Sequence, residues 1–323
     1  LGFDLQALRT RGVRIAAARG QAQQVRLDLA WAEWQTAGQA RIQVARIQGL
    51  ERRVALATTS RDAARSLADR TLRAAGRGDL SPDQVQAARL AAFSAAELVR
   101  TAERDLTTAR FDLTRLIGLP PGYPLALAPA TLPPAPPAAG TLFAIARDTR
   151  ADLAALRAGY AAQEASVHRA VLEQFPTLAL VVNANRDSAG NALAGPAIDL
   201  TLPLWNRNRG GIAVERATRA ALKAEYEARL FQTRADIAAA VGGIAVARRQ
   251  RAAALDGQPA LRRFATASRR AATRGDLAPA TAQTAEQALR DSETLVAQTD
   301  QDIAEQTIAL ELLTGTPQQE WPR

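Results

Sequence analysis

The sequence has no cysteine and no methionine, only one histidine and one lysine, and aromatic residues make up 4% of its 323 residues. Without cysteine, disulfides, thiolate metal sites and thiol catalysis are excluded. The one histidine, His168, lies beside Arg169 in a helical pattern, which is typical of a solvated or packed residue rather than a base. No glycine-rich phosphate loop is present. We therefore predict a protein that is not an enzyme, with no catalytic residue, no metal site and no cofactor.

Long apolar runs are also missing. No uninterrupted run reaches the roughly 18 apolar residues of a membrane-spanning helix, so we predict none. A membrane β-barrel stays open, because its strands are short and only alternately apolar. The net charge is +9, from 41 basic and 32 acidic residues, but the two signs alternate along helices instead of forming a basic patch. This pattern argues against a nucleic-acid partner.

The sequence repeats itself at a constant offset of 197 residues. Segment 73–80 (RAAGRGDL) returns as segment 270–277 (RAATRGDL). The register then holds without a gap at Pro82 and Pro279, Leu113 and Leu310, Gly118 and Gly315, and Pro120 and Pro317. A period this long exceeds that of solenoid repeats. It indicates a duplicated half-molecule in which both copies form the same structure.

Each copy reads as a long helix, a tight reversal and a shorter returning helix. Residues 13–75 contain no proline and follow a helical pattern of about 60 residues, roughly 90 Å, which requires packing partners along most of its length. Glycines end this helix, Ser81 caps the next one, and Pro82 takes its first position. Thr149 or Asp152 is a further predicted cap. We predict a partial strand over 1–12, a helical hairpin over 13–118 with its tip at 76–82, a proline-rich linker over 119–140, a helix over 141–174, a β-hairpin over 175–205, a second helical hairpin over 206–315 with its tip at 273–279, and a tail over 316–323.

The predicted β-hairpin alternates in polarity. Its apolar positions are Leu178, Leu180, Val182, Ile198, Leu200, Leu202 and Leu204, and its polar positions are Asn183, Asn185, Asp199 and Thr201. A two-stranded hairpin is only marginally stable alone, so the apolar side must meet another surface. Either it packs on a helix of its own chain, or it joins strands of other copies in a barrel that faces lipid. The long helices favour the barrel, because globular layers do not accommodate them easily.

Several segments together resemble the TolC-like outer-membrane efflux protein family, nearest to the outer-membrane partners of metal-ion efflux pumps. They are Phe175-Pro176-Thr177-Leu178, the strand from Leu200 that runs into a long helix after Gly210, Arg150-Ala151-Asp152-Leu153, and the paired glycine-bearing reversals. The resemblance covers essentially the whole chain. It implies a mainly α-helical fold with a small β part, in which antiparallel helical hairpins form an α-tunnel.

The resemblance also implies an assembly and partners. Three chains form a homotrimer with a twelve-stranded barrel in the outer membrane and a periplasmic helical portion. The apolar positions given above, from Leu178 to Leu204, then face outer-membrane lipid, and the four polar ones face a water-filled lumen. The function implied is the passive exit duct of a tripartite system, working with a periplasmic adaptor protein and an inner-membrane transporter of the RND type.

In the family the helical reversals dock the adaptor. Carried over, the contact residues are Arg77, Gly78, Asp79, Leu80, Ser81, Arg274, Gly275, Asp276 and Leu277. The alternative is that these residues merely form tight turns, although turn chemistry accounts for the glycines and prolines better than for the repeated Arg and Leu.

Two departures from the family pattern stand out. By comparison between the copies, the family pattern predicts about 50 further residues before Leu1. An acidic ring common at the periplasmic mouth falls here on Thr281 and Thr284, with Asp276 and Glu286 as weak substitutes. Three other functions stay open: a periplasmic adaptor with helical hairpins, a soluble coiled-coil scaffold, and an outer-membrane duct for type I protein secretion.

Overall fold

A computed structural model of the chain describes residues 2–128, 131–186, 188, 190, 192–202 and 205–322, with Leu193 described by its backbone alone. The residues group into two compact units. The first unit comprises Leu1–Trp34 and Phe143–Asp236, and the second comprises Gln35–Leu142 and Ile237–Arg323. Both units therefore combine segments from the two copies of the duplicated sequence.

Long helices dominate the described residues. In chain order the elements are β1 (Gly2–Asp4), α1 (Leu5–Ala75), α2 (Pro82–Leu116), α3 (Ala139–Thr149), α4 (Ala151–Leu172), β2 (Thr177–Arg186), β3 (Ala192–Thr201), α5 (Arg209–Arg274), α6 (Pro279–Thr314) and a short 3-10 helix (Gln318–Glu320). The mainly helical fold with a small β part is confirmed. More than half of the buried apolar side chains are alanine. Small side chains let the helices approach one another closely.

The first helix begins earlier than the sequence predicts. The predicted strand over 1–12 is reduced to Gly2–Asp4, and α1 starts at Leu5 instead of near Val13. The reason is the side chain of Asp4, whose Oδ1 accepts a hydrogen bond of 2.8 Å from the backbone N–H of Gln6. An aspartate in this position caps a helix N-terminus.

The predicted single helix over 141–174 is divided into α3 and α4. Neither predicted cap is used: Arg150, with φ −65° and ψ 123°, takes the N-cap position of α4. The Thr149 hydroxyl donates instead to the carbonyl of Ile145, inside α3. The extended backbone at Arg150 breaks the helix and brings its side chain beside Asp152.

An ion pair between Arg150 and Asp152 is buried at this break. Both residues are 5% exposed, and the guanidinium donates from Nε and from its second terminal nitrogen to the carboxylate, at 2.9 and 2.7 Å. The Arg150 guanidinium carbon also lies 4.6 Å from the ring centre of Trp31 on α1, a cation–π distance. Arg229 of α5 contacts the same carboxylate at 3.4 Å. The sequence Arg150-Ala151-Asp152-Leu153 thus joins three helices of the first unit.

In the second unit, the duplication is visible in which residues are buried. Helices α2 and α6 bury equivalent positions: Val85 and Ala282, Ala88 and Ala285, Ala102 and Thr299, and Leu113 and Leu310. Each pair is separated by the same 197-residue offset. The two copies therefore pack their returning helices through the same face, as the repeated sequence predicts.

The proline-rich linker is fixed to the helices of the second unit. Leu125 and Leu127 pack on a core that contains Ile47 and Leu113. Backbone carbonyls of the linker accept hydrogen bonds from helix side chains: Ala128 from Gln48, Pro133 from Arg248 and Pro134 from Gln318. A proline has no N–H to donate, so these carbonyls are what the segment offers.

Charged side chains also join three helices of this unit. Asp300 on α6 contacts Arg52 of α1 at 3.6 Å and forms an ion pair with Arg251 of α5. Burial lowers the pKa of the neighbouring Arg248 guanidinium, and the positive charge of Arg251 lowers it further. The carboxylate of Asp300 thus serves as the negative partner of arginines on two other helices, α1 and α5.

Among the described residues, one helix is long and apolar enough over part of its length to cross a membrane. Within α5, an 18-residue window has a mean hydropathy of 1.2, and 22% of it is buried. Counting only uninterrupted apolar runs missed this window, since averaging tolerates single charged residues. The match rests on length and composition alone, and α5 has 66 residues, far more than the roughly 20 of a single span.

We predict that Asp152→Ala destabilises the protein by about 3–5 kcal/mol, because it removes the carboxylate that pairs with the buried Arg150 guanidinium. Asp148→Ala is the matched control, since Asp148 forms an ion pair with Arg147 at the surface. Denaturant unfolding of both variants in detergent measures the difference. Equal stability of the two variants would contradict a structural role for the buried pair.

Candidate functional site

The strands bring apolar side chains together on one face of a three-stranded antiparallel sheet with the order β1-β2-β3. Leu178 lies opposite Leu200, Leu180 opposite Ile198, and Val182 opposite Pro196. The short β1 adds Phe3 opposite Leu180. We call this the apolar face, defined by Phe3, Leu178, Leu180, Val182, Pro196, Ile198 and Leu200. All the apolar strand positions named from the sequence therefore lie on one surface, apart from Leu202 and Leu204.

The apolar face is the more exposed side of the sheet. Ile198 is 71% exposed and Leu200 is 54% exposed. On the opposite face of β2, Thr177, Ala179 and Val181 are half-buried, while Asn183 and Asn185 are exposed. An antiparallel sheet in a water-soluble protein covers its apolar side chains, whereas here they are exposed, as the polar ones are. The face therefore needs an apolar surrounding from outside the chain.

The polar positions lie on the opposite side. Asn183 and Asn185 alternate with the apolar positions of β2, and Asp199 and Thr201 do the same on β3. Leu202 follows β3 and is 49% exposed. Leu204 lies outside the described residues.

The size of the hairpin agrees with that of a membrane strand pair. Both β2 and β3 have ten residues, and a tilted strand that crosses a bilayer needs about 9–11. Arg186 ends β2, and Trp205, which is 95% exposed, follows the other end of the hairpin. Aromatic residues at the borders of an apolar band are typical of outer-membrane barrels.

Two tips with the same backbone geometry end the helical hairpins of the second unit. At the first, Gly78 has φ +83°, its N–H donates to Ala75 O at 2.9 Å, and the Asp79 N–H donates to Ala74 O at 3.1 Å. At the second, Gly275 has φ +87° and the corresponding bonds run to Ala272 and Ala271. Both are Schellman motifs, which require a left-handed residue and therefore favour glycine.

The repeated arginines have a structural partner within each tip. Arg77 Nε lies 3.0 Å from Asp79 Oδ2, and Arg274 Nε lies 2.9 Å from Asp276 Oδ2. In each tip the ion pair spans the left-handed glycine. Turn formation therefore explains the repeated Arg as well as the glycine, because each Arg pairs with the Asp of its own turn.

The rest of each tip motif is only partly shared. Leu80 and Leu277 are both half-buried. Ser81 caps α2, and its N–H donates to Gln84 Oε1 at 3.0 Å. The equivalent position in the second copy is Ala278, which makes no such side-chain bond.

A family model described as outer membrane efflux protein matches residues 142–316, which is more than half of the chain. The chain belongs to the outer membrane efflux protein family. Membership confirms the fold resemblance inferred from the sequence, the outer-membrane location and the role as an efflux exit duct; the adaptor, scaffold and type I secretion alternatives are not favoured.

Solved structures agree on the fold of this outer membrane efflux protein. The outer-membrane channel OprN matches with a TM-score of 0.84 and 17% identity, over 98% of this chain and 74% of OprN. VceC from Vibrio cholerae matches with a TM-score of 0.81 and 16% identity, over 98% and 78%. The open state of MtrE from Neisseria gonorrhoeae matches with a TM-score of 0.80 and 18% identity, over 98% and 74%. No curated protein gives a significant sequence match. Fold and family are those of channel proteins rather than enzymes.

The threonines at the predicted acidic-ring positions, Thr281 and Thr284, are uncharged. The Thr284 hydroxyl donates to Ala280 O at 3.1 Å. Both weak substitutes are paired within their own chain: Asp276 with Arg274, and Glu286 with Arg269 at 3.8 Å and Arg290 at 3.5 Å. These carboxylates are therefore neutralised locally.

Sequence reasoning missed Phe3 and Pro196 as members of the apolar face. A strand of three residues is too short to show alternation, and proline is rarely assigned to a strand interior. The signal for Phe3 was present, because Phe3-Asp4-Leu5 aligns with Leu200-Thr201-Leu202 at the repeat offset.

We expect Leu180→Arg to weaken membrane assembly by about 2–4 kcal/mol, the cost of a cation on the lipid side of an outer-membrane barrel. Asn183→Arg is the control, because it places the same cation on the opposite face of the same strand. The yield of protein in outer-membrane fractions measures both. If the two variants insert equally well, the apolar face does not meet lipid.

At the first tip, Gly78→Ala is expected to cost about 1–2 kcal/mol, since a side chain is strained in the left-handed conformation. Gly76→Ala is the control: this glycine lacks a positive φ, and an added methyl group would make only ordinary contacts, the nearest at 3.5 Å. Denaturant unfolding in detergent compares the two. A larger loss from Gly76→Ala would exclude the described tip conformation.

Proposed function

We propose that three copies of this chain form a passive duct in the outer membrane, with the apolar face of each sheet turned to lipid. The observation that carries the proposal is the exposure of that face, from 37% at Leu178 to 71% at Ile198. Moving apolar surface from water into hydrocarbon is favourable by about 25 cal/mol per Å², so contact with lipid stabilises this face. The polar face, with Asn183, Asn185 and Asp199, then borders a water-filled passage.

The edges of the sheet support an assembly of several chains. In the order β1-β2-β3, the outer edge of β3 has no strand partner among the described residues. Within lipid, unpaired backbone groups are costly, and closed barrels avoid them. Each copy pairs its edge strand with an edge strand of the next copy. With three copies these head-to-tail contacts form a closed ring.

Exposed apolar side chains on the helices support lateral neighbours. Val25 and Leu29 on α1 are 65% and 60% exposed, Phe93 on α2 is 62% exposed, and Phe231 and Phe264 on α5 are 77% and 59% exposed. Isolated exposed apolar residues are ordinary, but repeated aromatic and aliphatic positions on several helices indicate covered surfaces. In this proposal the helices of adjacent copies cover them as the wall of a periplasmic tunnel.

Transport through this duct is passive, and the energy comes from partners. The chain carries none of the phosphate-binding loops of an ATPase, so an inner-membrane transporter, here of the RND type, drives the cargo. A periplasmic adaptor docks at the two tips, through Arg77, Gly78, Asp79, Leu80 and Ser81 of the first and Arg274, Gly275, Asp276 and Leu277 of the second. These side chains support docking by their place at the ends of both hairpins.

The full-length protein, fractionated from cells, tests the duct. We expect it in the outer membrane, released only by detergent, and migrating unheated on a gel at three times the monomer mass. Reconstituted in a planar bilayer, it is expected to conduct ions. A monomer that stays soluble without detergent would refute the proposal.

A further inference from the structure

A groove lies between the two tips in the second unit. Residues 67–80 of α1 and its turn, 84–91 of α2 and 278–284 at the start of α6 line it, and its volume is about 600 Å³. We call it the tip groove. It is open to solvent beside both Schellman turns, and its volume exceeds that of a single side chain.

The walls of the tip groove are faces of helices. On α2 the lining residues Gln84, Ala87, Ala88 and Ala91 follow the i, i+3, i+4, i+7 spacing of one helix face. On α1 the lining residues Leu67, Arg70, Thr71 and Ala74 follow the same spacing. Parallel ridges of small side chains form the grooves into which another helix packs. The shape therefore fits a helix rather than an extended peptide.

The floor of the groove is apolar. Leu67 and Ala88 are buried, and Ala74 and Leu80 are half-buried. Because the α2 side chains are alanines, space remains between Leu67 and Leu80. A leucine-sized side chain from a partner fits this depth and covers apolar surface that is now exposed.

The rim of the groove is basic. Arg70, Arg73 and Arg77 line it, whereas no carboxylate does. Arg77 is engaged by Asp79, but within the described residues Arg70 and Arg73 form no ion pair. Both are exposed. The α6 wall contributes only uncharged residues, among them Gln283 and Thr284. The positive charge of the rim is therefore unbalanced at the groove.

We infer that the tip groove selects its partner by charge: it binds the tip of an α-helical hairpin that seats an apolar side chain on the floor and presents carboxylates to Arg70 and Arg73. This inference rests on the proposed function, in which an adaptor docks at the tips, and adds the chemistry of that adaptor. Opposite charges at an exposed rim contribute more to specificity and association rate than to affinity, and their effect falls with salt.

The duplication supplies a matched control. Arg73 corresponds to Arg270 in the second copy, but Arg70 corresponds to Ala267, so only the first tip carries the pair. Arg263 and Arg270 are exposed and lie outside the groove. The double variant R70E/R73E therefore reverses two charges at the groove, and R263E/R270E reverses two charges at the same end of the unit without touching it.

The probe is a synthetic, disulfide-stapled helical hairpin with a leucine at its turn flanked by glutamates, and a second version has lysines in their place. Binding to the detergent-purified full-length protein is followed by fluorescence anisotropy at low and high salt. We expect the acidic hairpin to bind more tightly than the lysine hairpin, and more weakly at high salt. R70E/R73E is expected to lower its affinity about tenfold and to improve binding of the lysine hairpin. R263E/R270E is expected to leave both affinities unchanged.

Equal binding of the two hairpins to the native protein, no binding of either, or equal losses in the two double variants would overturn the inference. The same samples are run unheated on gels. A detergent-extracted trimer that does not discriminate between the hairpins rejects the groove and leaves the duct intact, whereas a soluble monomer rejects the duct itself.

Discussion

The structure depends on one constraint: the side chains of β2 and β3 that avoid water point away from their own chain. Leu180 and Ile198 lie opposite each other on the exposed side of the sheet, and no helix covers them. A sheet with such an exposed apolar face is stable only when a larger assembly or lipid covers that face.

Small residues make the helical part possible. A long helix gains little from propensity alone and needs contacts along its length. Alanine forms most of the buried apolar positions, and equivalent positions of both copies are buried in α2 and α6. Larger side chains are fully buried between the alanines within the long helices, among them Ile47 of α1, Ile244 of α5 and Ile303 of α6.

Much of this was readable from the sequence, because its signals are periodic or repeated. Alternation over Leu178–Val182 and Ile198–Leu202 predicts the face that the strand register produces, and the RGDL repeat predicts both tips. Features that depend on one or two residues were harder to predict from the sequence. The helix start at Asp4 and the break at Arg150 depend on individual hydrogen bonds, which no period reveals. The tip groove was not predictable at all, since it needs α1, α2 and α6 placed together in space.

The outward-facing leucines and isoleucine have a consequence for how the chain is made. Between synthesis and membrane insertion these side chains are exposed to water, next to an unpaired strand edge. An exposed apolar strand with a free edge is prone to pair with any other exposed strand. Newly exported copies must then be held apart by a chaperone, or be few at any moment, until they reach their destination. Insertion removes both hazards in one step, because lipid covers the side chains while a neighbouring strand pairs with the edge.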